Sequence, residues 1–192
     1  SVAPSGDPAA AFTYQWQNST DGVNFSSISG ATNATYTSGN LSVDTYFRRQ
    51  VTATLNGRAC IEVTPAILVT VNNLTPGSIG TAQTICEGTV PATLTETGAP
   101  TLDGIISYQW QESPDGSSWA DVASAGNAAT YDPSALTADR WYKRLVTSTM
   151  GTNFCTEESN VIKITVNNFN PGNIAASQTI CENTSPAAFT ST

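Results

Sequence analysis

Histidine is absent from this 192-residue sequence, methionine occurs once, and lysine and arginine together number seven. Without histidine, the side chain that most often serves as general base or transition-metal ligand near neutral pH is unavailable. Seven basic residues against fifteen acidic ones give a net charge of −8, which leaves no Lys/Arg cluster to neutralise phosphates and argues against a nucleic-acid partner. Charged residues are 11% of the chain, against roughly 25% in an ordinary soluble domain. Long apolar runs are lacking too. The longest, Ala66-Ile67-Leu68-Val69-Thr70-Val71, has strand length and falls far short of the roughly 20 residues of a membrane span. No glycine-rich phosphate loop or nucleophile elbow appears, and Glu157 and Glu158 are neighbours that point to opposite faces of a strand. No catalytic residue, cofactor site or metal site is expected, and the chain is not read as an enzyme.

What is present is a repeat. Tyr14-Gln15-Trp16-Gln17-Asn18-Ser19-Thr20-Asp21-Gly22 returns as Tyr108-Gln109-Trp110-Gln111-Glu112-Ser113-Pro114-Asp115-Gly116, an offset of 94. Cys60 and Val69-Thr70-Val71-Asn72-Asn73 return at an offset of 95 as Cys155 and Ile164-Thr165-Val166-Asn167-Asn168. The same offset carries Gln83-Thr84-Ile85-Cys86-Glu87 onto Gln178-Thr179-Ile180-Cys181-Glu182. A period near 95 residues is the size of one β-sandwich domain, and too long for small solenoid or propeller units.

Local patterns agree. Ser107 to Gln111 alternates apolar and polar as a half-buried strand does, Asp21-Gly22 and Asp115-Gly116 supply tight-turn chemistry, and Val161 to Val166 is β-branched. The fold expected is all-β: tandem immunoglobulin-like β-sandwich repeats, with Trp110 on the third strand facing the opposite sheet. The expected divisions are residues 1–73, a repeat without its first strands; 74–168, a whole repeat; and 169–192, the opening strands of another. Joining Ala188–Thr192 to Ser1–Pro4 rebuilds a segment like Ala92–Pro100, so the chain is expected to be a window on a longer array. A rival expectation is strand donation, with residues 169–192 completing the first repeat of another molecule.

Four cysteines allow three pairings. The repeat selects Cys86–Cys155, within the whole repeat; Cys60 and Cys181 would then have partners outside the fragment. A Cys60–Cys86 link would cross a repeat junction. Disulfides imply an oxidising, extracellular compartment. Arg48-Arg49 and Lys143-Arg144 each follow two aromatics, and are expected to cover aromatics or pair with carboxylates rather than to form a binding stripe. Trp119 and Phe25 are expected in the core. Asp21 and Asp115 are assigned to turn formation over calcium binding, because the alternating Asp/Asn run of a calcium loop is absent.

The segments Gln-Thr-Ile-Cys-Glu, Tyr-Gln-Trp-Gln-x-Ser-x-Asp-Gly, the aromatic pairs before Arg48-Arg49 and Lys143-Arg144, and the closing Ile-Thr-Val resemble repeats of giant surface proteins of Bacteroidota, the SprB-type adhesins of gliding motility and related filaments. That resemblance implies type IX secretion, display at the cell surface and a structural or adhesive role. Expected partners are neighbouring repeats of the same filament and a surface polysaccharide or other adhesion substrate. A carbohydrate- or protein-binding module of a secreted multidomain protein is the alternative from another class.

Overall fold

The computed structural model describes residues 5–6 and 9–191. Ser1–Pro4 and Thr192, which the rejoined segment needs, lie outside the described residues. The described residues contain strands, turns and loops and no helix, so the fold is all-β. They divide into two compact units. One holds residues up to Leu74 together with Leu102–Ile105 and Ser148–Cys155; the other holds Thr75–Thr101, Ile106–Thr147 and the residues from Thr156 onward.

The first unit is built on β1 (Ala11–Ser19), β2 (Ser26–Ser27), β3 (Thr45–Leu55), β4 (Arg58–Val63) and β5 (Ile67–Val69). They form one sheet in the order β2-β1-β3-β4, with β5 also pairing β3. The β1–β3 ladder is antiparallel and continuous from Ala11↔Thr54 to Ser19↔Tyr46, which sets Trp16 opposite Arg49. Asn56 and Gly57 both have positive φ (49° and 78°), the conformation that closes a two-residue hairpin without splaying its strands. Pairing of β3 then switches from β4 (Gln50↔Val63) to β5 (Phe47↔Ile67).

The second copy runs through β6 (Leu74–Thr75), β7 (Ser78–Ile79), β8 (Gln83–Cys86), β9 (Glu96–Gly98), β10 (Thr101–Leu102), β11 (Ile105–Ser113), β12 (Ala120–Asp121), β13 (Arg140–Met150), β14 (Asn153–Glu158) and β15 (Ile162–Asn167). Its main sheet has the order β12-β11-β13-β15-β8, with β14 also on β13. β13 and β15 are antiparallel, whereas β15 and β8 are parallel, from Ile164↔Gln83 to Asn167↔Cys86. A smaller layer made by β7, β9 and the Leu94↔Tyr131 bridge lies across the core, giving a sandwich-like arrangement. Ile79 and Leu94 enter that core from the smaller layer, and Trp110, Tyr142, Ile162, Ile164 and Val166 from the main sheet. Every second residue of β15 is buried, the period-2 signature of a strand with one face inward.

The turn before β7 has a strict backbone requirement. Gly77 has φ 68°, and a Cβ there would run into the Gly98 carbonyl oxygen and the Ala99-Pro100 backbone. Gly77→Ala is therefore expected to destabilise this unit by about 2 kcal/mol or more, read as a lower denaturant midpoint. An unchanged midpoint would show that the turn can rearrange freely.

Candidate functional site

The positions singled out by the repeat occupy the same surroundings in both copies. Trp16 Nε1 donates to the Asn33 carbonyl at 3.0 Å, and Trp110 Nε1 to the Ala128 carbonyl at 2.9 Å. Arg49 lies over the Tyr14 ring at 4.8 Å and Arg144 over Tyr108 at 4.5 Å. The two arginines donate from Nη1 to the Ala34 and Ala129 carbonyls at 2.5 and 2.6 Å. On the opposite face of β3 and β13, Arg48 covers Phe25 at 3.9 Å and Lys143 covers Trp119 at 4.6 Å. Lys143 also pairs with Glu158 at 2.7 Å. The basic pairs thus do cover aromatics. Phe25 and Trp119, expected in the core, are instead half-buried lids on these stems, and neither belongs to the buried cluster. The reason is register: Lys143 precedes the inward-facing Arg144, so its aromatic cap lies on the outer face of the sheet.

Arg144 itself is 0% exposed, and its Nη2 meets Glu96 at 2.8 Å. This ion pair was not legible from the repeat, because Glu96 falls in β9, outside the matched segments.

Both Asp-Gly turns are closed by the same hydroxyl–carboxylate arrangement. Ser113 Oγ donates to Asp115 Oδ1 at 2.9 Å and accepts from the Gly116 N–H at 2.9 Å. The same Oδ1 accepts the Ser117 and Ser118 N–H groups at 2.8 and 2.7 Å. In the first copy Ser19, Gly22, Val23 and Asn24 take the equivalent places around Asp21. Gly22 and Gly116 pass beneath Tyr46 and Trp141, where a Cβ would approach ring atoms to 3.1 and 3.2 Å. These donors favour the ionised carboxylates: Asp21 is held well below the ordinary range chiefly by Ser19, and Asp115 chiefly by the Ser118 and Ser117 amides. A carboxylate whose folded pKa is depressed contributes stability above its unfolded pKa of about 3.9, and that contribution is lost as pH falls below it. The denaturant midpoint should hold constant from neutral pH to about 5 and then fall. In the Asp21→Asn/Asp115→Asn double variant the acid fall should be shallower; an identical acid profile would remove these turns from the account.

Cys60, Cys86, Cys155 and Cys181 are all exposed free thiols in the structure. The Cys86–Cys155 pairing stands as the expectation drawn from the repeat. Four thiols should react with a water-soluble thiol reagent without denaturant. Protection of Cys86 and Cys155 together would instead show the disulfide that the repeat selects. Among the described residues no group of three or more His, Cys, Asp or Glu could hold a metal ion.

A cavity of the first unit, about 500 Å³, is lined by Trp16, Tyr36, Phe47, Arg49, Pro65 and Ile67 among others. Its counterparts in the second copy are Trp110, Tyr131, Tyr142, Arg144 and Ile162, which there form the wall of the filled core.

Comparisons with known proteins agree with a repeated unit. A family model described as "Domain of unknown function (DUF8696)" matches residues 1–73 and again 75–168. No curated protein sequence matches the chain. Among solved structures, one titled "Three N-terminal domains of the bacteriophage RB49 Highly Immunogenic Outer Capsid protein (Hoc)" is similar at 12% identity with a TM-score of 0.44, covering 83% of this chain. This chain spans 58% of the length of that one.

Proposed function

The chain belongs to the DUF8696 family, and from that footing we propose that it is a tension-resisting segment of tandem immunoglobulin-like repeats in a secreted, adhesive cell-surface filament. One observation carries the reading: β8, near the start of the second copy, lies parallel to β15, its last strand. When such a unit is pulled from its two ends, parallel terminal strands slide along each other, so their hydrogen bonds are loaded together in shear instead of opening one at a time. Val166 and Ile85 face each other in that pair and belong to or pack against the core, so sliding would also expose apolar surface. The internal repetition supports the same role, because each unit in an array contributes its own stability and the function scales with length. The resemblance to SprB-type adhesins supports export and display at the surface of a bacterium of that kind.

Single-molecule pulling of the full chain tests the mechanical part. The second copy should unfold in one discrete step that releases about 30 nm of chain at roughly 3.3–3.6 Å per residue. Gradual yielding without a step would refute a tension-resisting role. Antibody labelling of intact producing cells tests the location: the reading requires surface signal, and label only after permeabilisation would overturn it.

A further inference from the structure

The repeat accounts for the Asn-Asn pairs at 72–73 and 167–168, but not for what the first pair holds. Asn72 Nδ2 donates to the Ser148 carbonyl at 2.8 Å, and Asn72 Oδ1 accepts the Ser148 hydroxyl at 2.6 Å. Asn73 donates from its backbone N–H and from Nδ2 to one Asp103 carboxylate oxygen, both at 2.9 Å. The Asn73 carbonyl accepts the Asp103 N–H in return at 3.2 Å. Ser148 Oγ also accepts the Gly104 N–H at 3.1 Å, which ties the partners of Asn72 and Asn73 to each other. One residue earlier, the Val71 N–H donates to Asp44 Oδ1 at 2.8 Å, so the pair leaves an anchored strand end. Asp139 anchors Val166 ahead of Asn167-Asn168 in the same way.

By sequence Asn72 and Asn73 close the first repeat, whereas Asp103, Gly104 and Ser148 belong to the second. All five nevertheless lie in the first compact unit, which takes in Leu102–Ile105 and Ser148–Cys155. Ser148 is fully buried, and its hydroxyl uses its one donor on Asn72 while accepting from Gly104. A Cβ at Gly104 would come within 2.4 Å of the Thr149 carbonyl oxygen and 2.7 Å of Ser148 Oγ, so only glycine lets the turn approach this closely. These partners do not recur with the repeat. At the offsets of 94 and 95, Asp103-Gly104 and Ser148 correspond to Ala9-Ala10 and Ala53, whose side chains offer neither carboxylate nor hydroxyl. The β2-β1-β3-β4 sheet of the first copy forms without them, so they are not a requirement of the sheet itself.

We propose that Asn72-Asn73 is a recognition site for the next repeat of the same chain, and that its receptor is the Asp103-Gly104 turn together with Ser148. A repeat with Asp-Gly and Ser at these positions is held by the Asn-Asn end of the repeat before it, and a repeat with alanine there is not. Which neighbours are held together is thus set by three residues rather than by the repeat as a whole. The two side-chain amides suit this task. Each presents a donor and an acceptor, so the pair can satisfy a hydroxyl, a main-chain carbonyl and a carboxylate at once. The inference rests on the tandem-repeat reading above and adds the nearest-neighbour contact on which the stability of such arrays depends.

The test is nitrogen-15 relaxation and amide exchange of the full 192-residue chain. Asn72, Asn73 and Gly104 should show order parameters of about 0.85, as rigid strands do. Asp103→Ala changes only an exposed turn residue; it should lower the Asn73 value below about 0.6 and speed exchange of its amide about 10-fold. Ser148→Ala should do the same at Asn72 and Gly104. Asp103→Asn keeps a carbonyl oxygen for the Asn73 N–H and should retain the wild-type order. Unchanged amides in β3 and β11 separate loss of the contact from unfolding. Wild-type values below about 0.6 at Asn72 and Asn73, or values indifferent to both alanine variants, overturn the proposal. The two levels fail separately. A disordered Asn72-Asn73 in a chain whose second copy still unfolds in one step under tension removes this contact and leaves the tension-resisting array. An ordered pair in a chain that yields gradually does the reverse.

Discussion

Glu96→Ala should destabilise the second copy by about 3–5 kcal/mol, more than Arg144→Met does, although Arg144 is the larger and more central residue. The asymmetry follows from burial. The Arg144 side chain is 0% exposed and that of Glu96 is 30% exposed. Removing the carboxylate leaves a buried guanidinium held by the Ala129 carbonyl and the Tyr108 and Trp110 rings, with Nε already lacking a partner. Removing the guanidinium instead leaves a carboxylate that water can reach, and methionine refills much of the apolar volume, so the loss should be about 1–2 kcal/mol. In the double variant the loss should stay near that of Arg144→Met alone. The measurement is a double-mutant cycle from denaturant midpoints followed by circular dichroism. Equal losses for the two single variants would mean that water reaches Arg144 in solution.

Trp110→Ala should cost about 3–5 kcal/mol, while the same change at Trp16 should cost less than half of that. Trp110 is 0% exposed, stacks at 5.8 Å on Tyr131, and lies beneath Leu94 and Ile79 in the closed core. Trp16 has the same indole hydrogen bond and the same tilted partner, Tyr36 at 5.8 Å, but lines an open cavity. Part of its surface therefore stays in water in the folded state, and truncation forfeits less transfer free energy. Hydrogen exchange at β13 and β3 reads the two losses separately. Equal losses would mean that the first core closes by another route.

Much of this was legible in the sequence because the determinants are local. The alternation in Ser107–Gln111 sets one face of β11, the β-branched run at Val161–Val166 gives β15, and Asp115-Gly116 closes the turn between β11 and β12. Asn56-Gly57, not among the turns expected above, closes the β3–β4 hairpin by an equally local determinant, its two positive φ values. What could not be read depends on strand order. Phe25 and Trp119 recur at one position of the period, which suggested core; recurrence holds equally for a repeated outer-face cap over a basic stem. The Glu96–Arg144 pair joins residues 48 apart across the two layers, with no periodic signal to mark it.

The central claim is that the chain holds two copies of one sandwich-like unit, the second with a filled core and the first with a cavity in its place. Hydrogen exchange of the chain at high dilution tests it most directly. Amides of Ile162–Asn167 should exchange only by global unfolding of their unit, as should those of β11 and of Arg140–Thr147, while Ile67–Val69 should exchange orders of magnitude faster. Equal protection of β5 and β15 in dilute, monomeric protein would contradict the account.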